Sequence, residues 1–197
     1  MIRHILIAGL VALGATFTTS CATLQQIVAL QQVEFAIDHV SEVRLAGIDL
    51  TAKRSYADLS LADGAALISA VSRNDVPLAF NLHLRALNPA DNKVSARLIR
   101  MRWTMLLEDH ETVSGSVEQE YVFPPGEAQD LPIAIDLNLT EFFERNARDL
   151  FDLALNLAGQ GGAPKNVTLR AVPTIQTAIG PIQYPQPITI VSREIGW

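Results

Sequence analysis

The chain has 197 residues, of which 49% are hydrophobic and 18% are charged, with a formal net charge of −6 and one cysteine. This length suits one domain with a short appendage, and the many large apolar residues exclude intrinsic disorder along most of it. The acidic balance excludes non-specific nucleic-acid binding, which needs a basic surface. A single cysteine excludes an intramolecular disulfide framework.

The first 20 residues have the pattern of a secretory signal. A positively charged start precedes an uncharged apolar run, Ile5 to Phe17, that is too short for an ordinary membrane-spanning helix. We therefore predict a signal peptide at residues 1–20, a polar tether at residues 21–32 and a folded domain at residues 33–197.

Most of the folded domain alternates between apolar and polar residues, which predicts antiparallel strands with one buried and one exposed face. A first strand from Phe35 to Leu50 changes phase at Gly47, and this change predicts a β-bulge. The clearest alternating sets are Phe80, Leu82, Leu84 and Ala86; Ile99, Met101, Trp103, Met105 and Leu107; and Ile133, Ile135, Leu137 and Leu139. A weaker set is Val117, Gln119, Tyr121 and Phe123. Further strands are predicted at Val167–Val172, Ile175–Ile179 and Ile188–Val191.

Two segments have helical spacing instead. Ser60 and Asp63 form a capping-box pattern, and Leu61, Ala65, Ile68 and Val71 follow at helical spacing, which predicts one short helix. Thr140 is predicted to cap a second helix, with a stripe of Phe143, Ala147, Leu150, Phe151 and Ala154. Many short strands with two short helices predict a mostly β fold, an antiparallel β-sandwich.

No pattern of catalytic or metal-binding residues stands out. The histidines His39, His83 and His110 are widely separated, and surface positions are predicted for the last two. The sequence contains no nucleophile, phosphate-loop or zinc-ligand motif. We therefore expect no metal, no cofactor and no enzymatic activity.

The end of the signal resembles that of bacterial lipoproteins. The apolar run closes on Thr18-Thr19-Ser20-Cys21, with a small residue directly before the cysteine, although Leu is usual where Thr18 stands. The resemblance implies that the Cys21 thiol is lipidated and that cleavage makes it an acylated N-terminus, of the palmitate-bearing kind. Ala22 follows, and by the lipoprotein sorting pattern this implies the outer membrane, facing the periplasm. The alternatives are a buried free thiol or an uncleaved anchor.

The order of strands and turns resembles the type-2 late embryogenesis abundant family, the water stress and hypersensitive response domain. The residues that carry the resemblance are the strand ending in Asn88-Pro89, the strand with Trp103, Val113-Ser114-Gly115, and Val122-Phe123-Pro124-Pro125. Ala90 replaces the second Asn of the family motif, and the next Asn is Asn92. The resemblance covers residues 33–193 and implies an immunoglobulin-like or fibronectin-type sandwich linked to desiccation tolerance, with no catalytic residues.

Asn88 and Pro89 also have an ordinary structural interpretation. Proline fixes φ and asparagine bonds its own backbone, which together form a turn between strands. We favour this interpretation over a binding role.

Three functions follow from these observations. The leading hypothesis is a non-enzymatic, membrane-anchored lipoprotein that binds envelope proteins or lipids during water stress. The alternative is a lipid-binding or lipid-carrying lipoprotein, with an apolar groove between helix and sheet lined by Phe142, Leu153 and Leu157. An enzyme of the periplasmic face is the least favoured, because no His, Cys or Ser set converges in the sequence.

Overall fold

Antiparallel strands make up most of the fold. The computed structural model describes residue 25 and residues 28–107, 109–141, 147–160, 167–177 and 179–191. The strands are β1 (Glu34–Leu45), β2 (Ile48–Asp49), β3 (Pro77–Leu87), β4 (Ala96–Leu107), β5 (His110–Val117), β6 (Tyr121–Phe123), β7 (Ala128–Asn138), β8 (Val167–Thr177), β9 (Gly180–Gln183) and β10 (Ile188–Val191). The helices are α1 (Leu61–Ser72) and α2 (Ala147–Leu157), with 3₁₀ turns at Tyr56–Asp58 and Leu139–Glu141.

The strands form two sheets. The first has the order β2-β1-β3-β7, and the second has the order β10-β8-β4-β5, with β6 paired to β4 and β9 paired to β8. Every pairing within the described residues is antiparallel. Apolar side chains of both sheets belong to one continuous core. The predicted mostly β, antiparallel sandwich is confirmed.

The predicted alternation of β3 and β7 decides which face of the first sheet is buried. Phe80, Leu82, Leu84 and Ala86 are at most 3% exposed, and apolar residues of β7 oppose the first three of them in register. Pro132 lies in β7, an edge strand of this sheet, where a residue without an amide hydrogen costs no ladder bond on the open side. Period-two patterning therefore identified the core of this sheet.

The first predicted strand is wrong at its end. The phase change at Gly47 is not a bulge but a chain reversal, because Leu45 pairs with Ile48 across a two-residue loop. Ala46 and Gly47 have φ values of 49° and 80°. Two-residue hairpin turns of the I′ class require positive φ at both loop positions. Bulges do occur in β1, but earlier, where its register with β3 shifts after Ile37 and after Ser41.

Helix α1 begins where predicted but presents a different side to the core. The Ser60 hydroxyl accepts a hydrogen bond from the Asp63 amide, and the Asp63 carboxylate accepts one from the Ser60 amide. Leu67 is buried, together with Ala70, whereas Leu61 is 97% exposed. Ile68 is also exposed. The predicted helix is therefore present, but the residues whose spacing indicated it are not the ones that reach the core, because apolar residues surround this helix.

Two further strand boundaries and one additional strand differ from the predictions. The segment from Val117 to Phe123 is not one strand, since residues 118–120 separate β5 from β6. The two strands predicted at 167–172 and 175–179 are one strand, β8. Pro173 lies inside β8 between the stretches that pair with β10 and β9, so the sheet needs no amide hydrogen there. Strand β9 was not predicted.

Strand β4 changes phase at a bulge. Leu98 pairs with Ile175 and Arg100 pairs with Thr174, which leaves Ile99 out of register. Met101, Trp103 and Met105 are buried as predicted, but Ile99 is only half-buried.

The second helix is buried along most of its described length. Between residues 151 and 157, only Asp152 is exposed. The rings of Tyr56 and Phe151 meet edge to face, with centroids 5.5 Å apart. Thr140 lies in the 3₁₀ turn, where its hydroxyl donates to the Asn74 carbonyl oxygen at 3.0 Å. Phe143, part of the predicted stripe, lies outside the described residues.

We predict that Gly115→Val destabilises the protein. A Cβ atom at Gly115 would lie 2.5 Å from the Trp103 ring, which covers this glycine from the neighbouring strand. The ring must move, so we expect a loss of about 1–3 kcal/mol in the free energy of unfolding by urea. The control is Gly64→Ala, where nothing lies within 4 Å and helix propensity predicts a gain of up to about 1 kcal/mol. Equal stability of wild type and Gly115→Val would contradict this packing.

We also predict that acid weakens the start of α1. The Ser60 amide, followed by the Lys53 ammonium group, holds the pKa of Asp63 below its usual 3.8. Because the pKa is lower in the folded state, the stabilisation is complete above the unfolded value and is lost as pH falls through the folded value. Thermal unfolding should therefore show the difference between wild type and Asp63→Asn shrinking below about pH 4. A difference that stays constant down to pH 2 would contradict this assignment.

Candidate functional site

The strongest predicted site residue, Cys21, lies outside the described residues. The structure does show where the chain that follows it enters the fold. Residues 28–31 are helical, and Ala29, Leu30 and Val33 are buried in the core. The part of the predicted tether that includes Ala29 and Leu30 therefore packs with the folded domain.

Asn88 is fully buried at the end of β3, and each of its polar groups is hydrogen-bonded. The side-chain amide donates to the carbonyl oxygens of Phe123 at 2.7 Å and Val94 at 3.2 Å. Its backbone amide donates to Glu127, and its carbonyl oxygen accepts from Gly126. The predicted bond of Asn88 to its own backbone is wrong, because the side chain instead connects the end of β3 to the loop before β4 and to β6 in the other sheet.

Asn92 extends this network to the N-terminal segment. Its side-chain amide donates to Asn88 Oδ1 at 2.6 Å and to the Ala29 carbonyl oxygen at 2.9 Å. The Asn92 backbone amide also donates to the Pro89 carbonyl oxygen. Asn92 is only 5% exposed. We call Asn88, Asn92 and the carbonyl groups that they contact the asparagine clamp. The clamp holds the segment that contains Ala29 against one end of the sandwich. The side-chain amides of Asn88 and Asn92 are already hydrogen-bonded, so they are unavailable to an external ligand.

The described residues of the predicted apolar groove do not line an open surface. Leu153 is 6% exposed and Leu157 is 2% exposed, and both belong to the continuous core. Phe142, the third residue of the predicted groove, lies outside the described residues. The second apolar side of α2 thus packs inside the fold at both described positions.

One shallow depression lies elsewhere, between α1 and the β1–β2 turn. It has a volume of about 270 Å³, and its lining residues are Ala46, Ala66, Ser69, Ala70, Arg73, Asp75 and Pro77. The Arg73 guanidinium group donates to Ser69 Oγ at its rim. None of the predicted site residues lies in this depression.

Two histidines that the sequence separates by 44 positions meet on the outer face of the first sheet. His39 and His83 pair across β1 and β3, with parallel rings whose centroids are 4.2 Å apart. His83 contacts Ser41 through Nε2 and Asp130 through Nδ1. Sequence patterns did not indicate this convergence, because it depends on the register of three strands. Alternation alone places these residues on a polar face without pairing them.

The described residues lack two features, a metal-binding cluster and a membrane-spanning helix. No three His, Cys, Asp or Glu side chains among them are grouped so that they could hold a metal ion. None of the helices in that part of the chain combines the length and the apolarity needed to cross a membrane.

Comparison with known proteins finds only distant structural similarity. No family model and no curated protein matches the chain. A crystal structure of a protein from Archaeoglobus fulgidus is similar with 12% identity and a TM-score of 0.32, covering 59% of this chain and 86% of that one. The solution structure of a candidate late embryogenesis abundant protein is similar with 10% identity and a TM-score of 0.35, covering 98% and 89%.

We predict that Asn88→Asp strongly destabilises the protein at neutral pH. A carboxylate would replace the amide that donates to two buried carbonyl oxygens, so an unpaired charge would face two acceptors. We expect a loss of about 2–4 kcal/mol in the free energy of unfolding. Burial favours the protonated acid, which can still donate, so part of the loss should be recovered at lower pH.

The matched control is Asn81→Asp, on the outer face of the same strand, with an expected change of about 0.5 kcal/mol or less. Urea unfolding at two pH values provides the measurement. Similar losses for both variants would show that the clamp contributes no more than a surface amide.

Proposed function

We propose that this protein is a lipid-anchored β-sandwich of the bacterial cell envelope that binds envelope proteins or lipids under water stress. This role needs no catalytic step and no cofactor. The lipoprotein-like signal that ends at Cys21 supports the anchor. The resemblance of the strand and turn order to the water stress domain supports the stress role.

The observation that carries this proposal is the hydrogen bond between Asn92 and the Ala29 carbonyl oxygen. It fixes the chain against the sandwich only eight residues after Cys21. Eight residues span at most about 28 Å when fully extended. An acyl group on Cys21 would therefore hold the asparagine-clamp end of the domain within that distance of the membrane surface.

Charge supports anchoring by acyl chains rather than by electrostatic attraction. Removal of residues 1–20 takes away one basic residue, Arg3, and leaves 14 basic and 21 acidic residues. An anionic membrane surface repels an acidic body. Acyl chains contribute about 0.8 kcal/mol for each buried methylene, so two or three of them suffice to hold the domain in place. Ala22 favours the periplasmic face of the outer membrane as the location.

The geometry does not favour the lipid-carrying alternative. Its groove requires open apolar surface beside α2, and both Leu153 and Leu157 are buried. Binding to envelope partners is therefore proposed through the outer surface of the sandwich, not through an internal cavity.

The test compares a strain that lacks the protein with strains that express wild type or Cys21→Ser. We expect lower survival after drying or hyperosmotic shock without the protein, and recovery with wild type alone. Cys21→Ser should lose its acyl mass and move from the detergent phase to the aqueous phase, because serine lacks the thiol that is acylated. Mass spectrometry and phase partitioning measure this change.

A second serine substitution, Thr19→Ser, keeps the cysteine and serves as the matched control. Full survival of the strain that lacks the protein would contradict the stress role. Unchanged partitioning of Cys21→Ser would contradict the anchor and leave the stress role to be judged by survival.

A further inference from the structure

The outer face of the first sheet carries an arrangement of side chains that resembles an activated nucleophile. Ser41 Oγ lies 2.9 Å from His83 Nε2, and His83 Nδ1 lies 2.8 Å from Asp130 Oδ2. Strands β1, β3 and β7 supply one residue each. A hydroxyl within hydrogen-bond distance of an imidazole that a third group orients is the geometric signature of nucleophilic catalysis. We call Ser41, His83 and Asp130 the outer-face triad.

The contact with Asp130 determines which nitrogen of His83 carries the proton. An ionised carboxylate can only accept hydrogen bonds, so Nδ1 of the ring must be the donor. In the neutral ring Nε2 then has a free lone pair and accepts the Ser41 hydroxyl hydrogen. This is the tautomer that a general base needs in order to take the serine proton.

Packing holds the His83 ring in this orientation. The His39 ring lies parallel to it, with an angle of 9° between the planes, and His39 Nδ1 contacts Asp38 at 2.8 Å. The His83 side chain is 17% exposed, whereas that of Asp130 is 56% exposed. The imidazole is thus confined between a neighbouring ring and a carboxylate, while the edge of the triad stays open to solvent.

A bulge in β1 follows directly after the serine. Ser41 pairs with Asn81 and Arg44 pairs with Ala79, so two residues of β1 oppose one residue of β3. Glu42 lies in this bulge with a φ of 55°. A non-glycine residue in the left-handed region costs about 1–2 kcal/mol, and such strain is concentrated at functional sites. Bulges also re-aim side chains.

We propose that Ser41 is a nucleophile that His83 activates toward acyl donors, with Asp130 as the residue that positions His83. This activity goes beyond the proposed stress role and does not depend on it. The triad lies on an open sheet face instead of in a cleft, so the class of substrate is activated carboxylic esters. Their aryl alcohol leaving groups depart with little help from the protein.

The reaction follows directly from this geometry. Ser41 Oγ attacks the ester carbonyl carbon while its proton moves to His83 Nε2. The bond between the carbonyl carbon and the leaving oxygen breaks, and His83 returns the proton to the departing alcohol. A water molecule, deprotonated by His83, then attacks the carbonyl carbon of the acyl-serine. The bond between that carbon and Ser41 Oγ breaks, and His83 returns the proton to Oγ. The products are the alcohol and a carboxylic acid, and Ser41 is free again.

The test uses the full-length protein with two probes, p-nitrophenyl acetate and an alkyl fluorophosphonate. Peptide mass spectrometry should locate the phosphonyl adduct on Ser41, and Ser41→Ala should remove it. His83→Gln should slow both labelling and ester cleavage by about 10²–10⁴-fold, which is the usual contribution of a general base. The matched control is Ser114, an exposed serine on the other sheet that pairs with Thr104 at 2.8 Å and should not be labelled.

Two variants separate the positioning role of Asp130 from a merely structural one. Asp130→Asn keeps the shape but loses the carboxylate, so it should reduce the labelling rate of Ser41. Asp130→Glu restores a carboxylate and should recover part of that rate. Thermal unfolding of each variant shows whether the fold persists.

The proposal is overturned if Ser41 and Ser114 react at equal rates in the wild-type protein, a comparison that needs no variant to fold. It is also overturned if folded His83→Gln labels as fast as wild type. Either result would leave the triad as a cross-strand hydrogen-bond network. Survival after drying is a separate measurement, so failure here and failure of the stress role are distinguishable.

Discussion

The position of the Asn88 amide in the molecule is the constraint on which the arrangement of the two sheets depends. The amide lies at the end of β3, in the first sheet, and donates to the carbonyl oxygen of Phe123, in the second. The Phe35 and Phe123 rings meet edge to face beside it, with centroids 6.0 Å apart. A buried polar group is costly unless it is fully hydrogen-bonded, so this contact specifies how the sheet ends meet. Burial of apolar side chains is non-directional, so it would not by itself specify how the sheet ends meet.

The features of this fold that could be predicted from the sequence are those set by interactions between residues close together in the chain. Alternation identified the buried face of β3 because pleating sends successive side chains to opposite sides. The capping box identified the start of α1 because both of its hydrogen bonds lie within four residues. The turn at Ala46 was missed, since alanine rarely adopts positive φ and the alternation of Val43 and Leu45 runs directly up to the turn. The buried face of α1 was missed because apolar residues lie on all sides of it.

The candidate sites could not be predicted from local patterns either, because their contacts depend on how the strands pair. Asn88 was singled out from a motif, but Phe123, one of the two residues whose carbonyl oxygens it contacts, is placed by the pairing of strands far apart in sequence. Ser41, His83 and Asp130 come together only because β1 and β7 both pair with β3, and because a bulge alters the register of β1. A one-residue slip in either pairing would move the polar set to the other face of the sheet. Their convergence is a property of the sheet, not of any local segment.

The asparagine clamp and the outer-face triad are linked through β1. The strand begins at Glu34, just after the segment that the clamp holds, and reaches Ser41 seven residues later. At about 3.3 Å per residue, the serine lies roughly 23 Å along the sheet from the clamp end.

If Cys21 is acylated, that end is tethered to the membrane, and the triad faces sideways from the flank of an anchored sandwich. An open catalytic face in this position would meet acyl donors at the membrane surface more often than donors in solution, because tethering raises the effective concentration of whatever shares the surface. The proposed anchor and the proposed nucleophile thus rest on different residues, and the clamp sets an upper limit on the distance between them.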